Sequence, residues 1–165
     1  MAAWNDEIVN LKDRVMILDV DGVLNGHEWC LGRPGPRINQ SNAEVLQHVV
    51  AVSLPFDVIL CSAWRGMLDT VNLAAVNWMF HSHGIYINVV GRTSADFEGD
   101  DNADKGVARA KQINQWLEFH GEPTQWCVID DMSLPGVDPA KHLRTRHDRG
   151  LQWHDVRWIS RQFAA

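Results

Sequence analysis

Two carboxylates lie two residues apart at the end of an apolar segment near the start of the chain. Residues 14–20 read RVMILDV, and Asp19 and Asp21 are followed at once by Gly22. Side chains at positions i and i+2 of an extended chain point the same way, so we expect both carboxylates to face one site, with Gly22 allowing a sharp turn after them. Such a pair suits a hard cation such as Mg²⁺, and it suits chemistry in which one group attacks phosphorus while the other transfers protons.

A second acidic pair, Asp130 and Asp131, follows the apolar residues 126–129. Two acids at the end of a buried strand are costly unless a metal ion or a basic side chain compensates their charge. We therefore predict that Asp130 is a Mg²⁺ ligand and that Asp131 supports the metal shell.

Two further polar residues follow the apolar segment DVILC at residues 57–61. Ser62 offers a hydroxyl and a backbone N–H to a phosphoryl oxygen, although a serine after a strand is often only a turn former. Arg65 either grips a substrate phosphate with two parallel hydrogen bonds or reaches into solvent, and the sequence leaves both readings open.

Three basic residues, Lys105, Arg109 and Lys111, lie near the start of a later predicted helix. A cation at this position would neutralise charge between a phosphoryl group and the two aspartates of the first strand. A single basic residue on a helix is more often a surface charge, so only the whole set of motifs makes one of the three a candidate.

Apolar segments that suit strands alternate with amphipathic segments that suit helices. Strands are predicted at residues 14–20, 57–61, 85–90 and 126–129, with a short edge strand at 142–146. Helices are predicted at residues 41–50 (with Ser41 and Glu44 as a capping box), 68–81 (ended by Gly84), 105–119 and 153–163. The alternation predicts an α/β fold with a parallel sheet, whose active site forms beyond the carboxyl ends of the strands.

Length and composition limit the class of protein. The 165 residues fit a single domain, 1–165, and the three cysteines are predicted to be free thiols. No stretch is apolar enough to cross a membrane, and residues 1–12 lack the apolar core of a signal peptide, so we expect a cytoplasmic protein. The net charge of −6 argues against indiscriminate nucleic-acid binding.

The charge is unevenly distributed, which bears on the substrate. Acids crowd residues 96–104, and bases crowd the C-terminal part of the chain at Lys141, Arg144, Arg146, Arg149, Arg157 and Arg161. The basic residues would attract a polyanion and the acidic stretch would repel one, but the sequence does not say which faces the site. The Gly- and Pro-rich loop 26–37 is expected at the rim, where Trp29 either stacks a base or packs against the loop.

In chain order, these motifs resemble the haloacid dehalogenase (HAD) superfamily: DVDGVLN after the first strand, a serine after the second, a basic residue on a later helix, then DD after a further strand. The likeness covers residues 15–131. More narrowly, SAWR, the helix RAKQINQWL and Gly150-Leu151 are similar to the small, cap-poor HAD domains of bacterial RNA-repair proteins and of polynucleotide kinase phosphatases. The resemblance implies a Rossmann-like HAD fold, with a central parallel sheet flanked by helices and a minimal cap.

The resemblance also implies roles for the site residues. Asp19 would attack the phosphoryl group to form an aspartyl-phosphate, and Asp21 would protonate the leaving oxygen and later activate water. Ser62 would hydrogen-bond the phosphoryl oxygens. Mg²⁺ would be held by Asp19, the backbone carbonyl of Asp21 and Asp130, with Asp131 in support.

The basic residue of the third motif stays open among three candidates. The spacing to Ile113 favours Arg109, as in the RNA-repair group, whereas the lysine usual in the superfamily favours Lys105 or Lys111. Substrate contacts are expected from Gly22, Arg65 and Lys111.

The predicted function is a Mg²⁺-dependent phosphatase acting on a phosphomonoester, either a small molecule or a nucleotide or polynucleotide end, with no membrane association and no stable partner. One alternative is a HAD-fold binding module without catalysis. Another is a receiver-like signalling domain, although a receiver keeps its acidic pair at the first strand and a lone aspartate at the third. A two-metal nuclease is a third alternative.

Overall fold

The computed structural model describes residues 13–32, 37–53, 55–62, 64, 72–94 and 104–164. Its strands are β1 (Arg14–Leu18), β2 (Asp57–Leu60), β3 (Val89–Arg92), β4 (Gln125–Asp130) and β5 (His142–Arg144). Its helices are α1 (His27–Cys30), α2 (Gln40–Ser53), α3 (Leu73–Ser82), α4 (Lys105–His120) and α5 (Val156–Gln162), the last preceded by a 3₁₀ turn at Trp153–Asp155.

The strands form one parallel sheet in the order β3-β2-β1-β4-β5. Helices alternate with the strands, which confirms the predicted α/β, Rossmann-like fold. A receiver domain has its first strand between the second and third, so the observed order contradicts the receiver-like alternative. Between β1 and α2, the described residues contain only the single turn α1, in keeping with a minimal cap.

Strand β1 lies at the centre of the sheet and is buried on both faces. Met16 and Leu18 pack into the cluster beneath α2, α3 and α5, whereas Val15 and Ile17 pack into the cluster beneath α4. Alternate side chains of a strand point to opposite faces, so a strand covered by helices on both sides needs apolar residues at every position. This arrangement explains why the segment shows no apolar–polar alternation.

Strand pairing aligns the carboxyl ends of the three central strands. Leu18 of β1 pairs with Leu60 of β2 and with Ile129 of β4. The ladder continues one step further, because the Cys61 N–H donates to the Leu18 carbonyl and the Asp19 N–H donates to the Ile129 carbonyl. The residues that follow these strands therefore emerge side by side at one edge of the sheet.

The third strand differs from its prediction at residues 85–90, since it begins at Val89 and extends to Arg92. The backbone at residues 85 and 87 is bound to α3 rather than built into the sheet: the Ile85 N–H donates to the Phe80 carbonyl, and the Ile87 carbonyl accepts from the His81 ring. The strand was predicted from hydrophobicity. Ile85 is hydrophobic because its side chain is fully buried, not because its backbone belongs to the sheet.

The start of α2 also differs from its prediction. The helix begins at Gln40, and Asn39 Oδ1 accepts a hydrogen bond from the Ser41 N–H at 3.0 Å. Asn39 is therefore the capping side chain and Ser41 lies inside the helix, so the predicted capping box of Ser41 and Glu44 is wrong.

Smaller differences concern loops and helix ends. The predicted loop at residues 25–37 contains the helical turn α1, and the closing helix is split into a 3₁₀ turn and α5. The predicted helix 68–81 is described only from Asn72, whose side chain caps α3 through the Ala75 N–H. Among the described residues, no helix is both long and apolar enough to cross a membrane.

Candidate active site

The three acids at the carboxyl ends of β1 and β4 lie together. One carboxylate oxygen from each of Asp19, Asp130 and Asp131 lies within 4.8 Å of the others. Asp19 is 1% exposed and Asp130 is fully buried. Asp19 Oδ2 is buried and accepts no hydrogen bond from any described residue. The cluster is therefore a buried concentration of negative charge with one carboxylate oxygen left unsatisfied.

Arg109 of α4 is a basic side chain that contacts two members of this cluster, Asp19 and Asp130. Its Nη1 lies 2.8 Å from Asp130 Oδ2 and 3.4 Å from Asp19 Oδ1, and the residue is 7% exposed. Lys105 and Lys111, on the same helix, are exposed. Residues two apart on a helix point to different faces, so α4 cannot direct both Arg109 and Lys111 at the acids.

Burial shifts the pKa of the acids in the metal-free protein. Burial, followed by repulsion from Asp130, raises the pKa of Asp19 from 3.8 to about 7, although Arg109 and the Val20 N–H act in the opposite direction. Burial likewise raises the pKa of Asp130, against the lowering effect of Arg109. The Arg109 guanidinium therefore does not offset the effect of burial on Asp19 and Asp130.

The carboxylate of Asp21 is held apart from the acidic cluster. Its Oδ1 accepts hydrogen bonds from Asn25 Nδ2 at 2.9 Å and from the indole Nε1 of Trp64 at 3.0 Å. Asp21 is exposed, whereas both donors are buried. Asp21 is thus fixed at the solvent side of the site, and its carboxylate is not among the candidate metal-binding oxygens of the described residues.

Gly22 lies directly against Asp131. It has a φ of +77°, and a Cβ added to it would lie 2.3 Å from Asp131 Oδ2. Its N–H donates to the carbonyl and the side-chain Oδ1 of Asn25, and its carbonyl accepts from Thr145 Oγ1 at 2.8 Å. The predicted sharp turn is therefore present, and the lack of a side chain allows Asp131 to approach.

Ser62 follows β2 at the same edge of the sheet and is fully buried. Its Oγ accepts a hydrogen bond from the Trp64 N–H at 3.2 Å, which is the turn-forming contact that the sequence left open. Arg65, one candidate for binding the substrate phosphate, lies outside the described residues, as does the side chain of Trp29.

Neighbouring Cys61 closes the inner wall of the site. Its Sγ lies 3.8 Å from both Arg109 Nη1 and Asp130 Oδ2. Burial raises the pKa of this thiol well above its ordinary value, so the side chain stays neutral and adds no further negative charge.

Among the residues that contact the predicted acids without having been assigned a role from the sequence are Asn25, Trp64 and His147. Asn25 and Trp64 lie within the quoted motifs DVDGVLN and SAWR, so the motifs contained the signal. His147 comes from the loop after β5, and its Nδ1 forms a hydrogen bond with Asp131 Oδ2. No motif in the sequence links residue 147 to the acidic pair that follows β4.

The carboxylate set fits a divalent metal ion. Mg²⁺ prefers oxygen ligands, and the unsatisfied buried Oδ2 of Asp19 beside two further carboxylates provides the charge that such an ion would compensate. The described residues could therefore hold a divalent metal ion.

A central β1 that ends in an aspartate, a buried basic side chain on α4 and an acidic pair after β4 together define a domain of the HAD class. A family model described as the HAD domain in Swiss Army Knife RNA repair proteins matches residues 15–156. The chain belongs to this family, which confirms the resemblance drawn from the motifs. The family and the acidic cluster support a HAD-type hydrolase. The chain matches no curated protein and no solved structure.

Proposed function

We propose that the protein is a Mg²⁺-dependent phosphomonoesterase that works through an aspartyl-phosphate on Asp19. One observation carries the proposal: a buried carboxylate oxygen of Asp19, to which no described residue donates a hydrogen bond, lies beside Asp130 and Asp131. An unsatisfied buried carboxylate is costly to fold around, and it persists at sites where binding or reaction uses it.

In the first step, a carboxylate oxygen of Asp19 forms a bond to phosphorus while the bond from phosphorus to the leaving oxygen breaks. Arg109 supports this step, because its guanidinium lies 3.4 Å from Asp19 and offsets negative charge that would otherwise repel the phosphoryl group. Mg²⁺, held by Asp19 and Asp130 with Asp131 in support, would add positive charge and favour the ionised form of Asp19.

Asp21 is proposed as the general acid and base. It would donate a proton to the leaving oxygen in the first step and accept a proton from the attacking water in the second, when the aspartyl-phosphate is hydrolysed. The hydrogen bonds from Asn25 and Trp64 support this role, because they fix one oxygen of an exposed carboxylate and leave the other for proton transfer.

The substrate is proposed to be a small phosphomonoester or the phosphorylated end of a nucleotide or polynucleotide. The small connection between β1 and α2 supports an open site. The family description, which names RNA-repair proteins, favours nucleic-acid ends. Ser62 is proposed to bind phosphoryl oxygens from the end of β2, next to Asp19.

The test is phosphate release with Mg²⁺ or with EDTA from an aryl phosphate, a mononucleotide and an oligonucleotide bearing a terminal 3′-phosphate. Asp19→Asn should abolish release, and Asp13→Asn should not. Asp13 is a matched control because it is exposed and directly precedes β1, at the opposite end of the strand from Asp19.

Trapping the intermediate separates the proposal from its rivals. A labelled phosphoryl group that becomes acid-stable and hydroxylamine-sensitive on the wild type, but not on Asp19→Asn, supports the aspartyl-phosphate. Cleavage of an internal phosphodiester without a trapped intermediate would indicate a two-metal nuclease. Substrate binding without any turnover would indicate a binding module.

A further inference from the structure

The basic residues of the C-terminal part of the chain lie at two different ends of the molecule. Lys141 lies over the ring of Trp126 at the start of β4. Arg161 lies on α5, two residues before Phe163, whose ring stacks on Phe56 at the amino end of β2. The last residue of β5 and the loop after it carry another group, the basic rim, formed by Arg144, Arg146, His147 and Arg149. This group lies at the carboxyl edge of the sheet, beside the acids.

We propose that the basic rim, together with His27, binds a nucleic-acid strand next to the terminal phosphate that Asp19 would attack. This inference rests on the proposed function and narrows its substrate to a polynucleotide end.

Two hydrogen bonds place the rim directly beside the acidic cluster. Arg144 Nε donates to the backbone carbonyl of Asp131 at 3.0 Å, and His147 Nδ1 bonds the carboxylate of the same residue. A strand whose terminal phosphate entered the acidic cluster would therefore pass over these side chains.

The rim is held firmly against the turn that follows β1. The Leu151 N–H donates to the Val23 carbonyl and the His27 N–H donates to the His147 carbonyl, both at 2.8 Å. Gly150, with a φ of +68°, packs so closely that a Cβ would lie 2.4 Å from the Val23 carbonyl oxygen. These contacts fix the position of the basic rim relative to the turn that follows β1.

The rim offers positive charge to solvent at the mouth of the site. The side chains of Arg146, His147 and Arg149 are 67%, 63% and 60% exposed. Asp148 is the one acid within the loop, and its carboxylate accepts two hydrogen bonds from the guanidinium of Arg146, at 2.7 and 3.1 Å. Arg149 reaches Asp148 only at 3.7 Å, so its guanidinium is the best placed to pair with a phosphodiester.

An aromatic surface accompanies the charge. The rings of His27 and His147 stack with centroids 5.3 Å apart and planes 24° apart, and both residues are exposed. Single-stranded nucleic acid is bound by basic side chains that follow the backbone and by ring systems on which bases stack. Arginines would pair with any phosphate, but a stacked ring pair beside them favours a nucleic-acid strand over a small phosphomonoester without a base.

The first experiment measures binding of a fluorescent single-stranded oligonucleotide with a 3′-phosphate to Asp19→Asn protein, which cannot consume it under the proposed function. Adding Arg149→Ala should weaken binding about tenfold and reduce the slope of log affinity against log salt by about 0.7, the value of one lost phosphate contact. Arg149→Lys should restore most of the slope. Arg161→Ala removes the same charge at the opposite edge of the sheet and should change neither quantity.

His27→Ala tests the aromatic surface separately. The backbone hydrogen bond of residue 27 to His147 is kept, so the loop stays anchored, and we expect the oligonucleotide to bind about fivefold or more weakly. A base-free polyanion, inorganic polyphosphate, should bind more weakly than the oligonucleotide and should not respond to His27→Ala. Polyphosphate binding as tight as that of the oligonucleotide would overturn the assignment to nucleic acid.

Kinetics provides the second readout in the otherwise wild-type protein. Arg149→Ala should lower the ratio of kcat/KM for the oligonucleotide to kcat/KM for the aryl phosphate, whereas Arg161→Ala should leave it unchanged. If Arg149→Ala and Arg161→Ala bind the oligonucleotide equally well and give the same ratio of kcat/KM values, the proposed role of the basic rim is wrong. Binding is measured without turnover, so the two proposals can fail separately. Binding that depends on Arg149, together with no phosphate release from any substrate, would contradict the proposed function but would still support nucleic-acid binding by the basic rim.

Discussion

The guanidinium Nη1 of Arg109 lies 2.8 Å from Asp130 Oδ2, and both side chains are buried. A buried ion pair gains little net free energy over an apolar pair, but the loss of one partner leaves the other charge uncompensated. In this protein the remaining partner, Asp130, belongs to a cluster of three acids, so the stability of the fold should depend strongly on Arg109.

Arg109→Met should therefore lower the free energy of unfolding by about 3–5 kcal/mol in metal-free protein, because Asp130 and Asp19 lose their counter-charge. Urea unfolding measures the effect. Lys111 is exposed two residues further along the same helix, and Lys111→Met should change the free energy of unfolding by less than about 0.5 kcal/mol. Similar losses in the two variants would show that helix propensity, rather than the buried pair, controls stability.

Asp19→Asn should stabilise the protein in EDTA while abolishing activity, because the amide removes a buried charge that Asp130 repels. We expect the Tm in EDTA at pH 8 to rise by about 3 °C or more, and the stabilisation by added Mg²⁺ to be largely lost. Thermal melts with EDTA and with Mg²⁺ measure both effects, and Asp13→Asn is the control. A wild type that Mg²⁺ does not stabilise would contradict the metal assignment.

The raised pKa of Asp19 predicts that the stability of the metal-free protein depends on pH. The pKa of Asp19 is raised to about 7 in the folded state from 3.8, so the folded state binds more protons than the unfolded state between these values. The contribution of Asp19 to stability therefore falls as pH rises through this window and stays low above about 7. The Tm difference between Asp19→Asn and the wild type in EDTA should be larger at pH 8 than at pH 5, and a difference that shrinks with rising pH would contradict the shift.

Gly22→Ala should disturb Asp131 and destabilise the fold. The new Cβ would meet the carboxylate at 2.3 Å in a backbone conformation with φ +77°, at a cost of about 2 kcal/mol or more. Gly84→Ala is a matched control, since Gly84 also has φ +77° but has no atom within 4 Å of the added Cβ. Unfolding and phosphate release should both suffer more in Gly22→Ala, and equal effects would assign the cost to backbone strain alone.

Trp64→Phe should impair proton transfer by Asp21, because the indole N–H that donates to its carboxylate is removed. The rate should fall about tenfold for an alkyl phosphate, whose leaving oxygen needs a proton, and much less for an aryl phosphate with an acidic leaving group. Trp126→Phe loses a comparable bond to Glu122 at the far end of the sheet and serves as control. Equal losses for the two substrates would argue against Asp21 as the acid.

Several features of the fold and site were predictable because they depend on local pattern. Apolar segments followed by acids predicted β1 and β4, and parallel strands bring their carboxyl ends to one edge, so the proximity of Asp19 to Asp130 followed from the sequence. The third strand was misplaced because Ile85 and Ile87 are buried like strand residues while their backbone lies against α3. Hydrophobicity reports burial, not the partner of a hydrogen bond.

The sequence by itself determined the fold class, the family motifs and the acids that share one edge, since all of these follow from periodicity and order along the chain. Only the tertiary structure selected Arg109 over Lys105 and Lys111, because the rotation of α4 against the sheet decides which base is buried. It alone brought His147 to Asp131 and divided the C-terminal bases between the two edges. The loop that carries His147 is held by a hydrogen bond between Leu151 and Val23, which lie near opposite ends of the chain. The positions of such contacts are fixed by packing rather than by spacing in the chain.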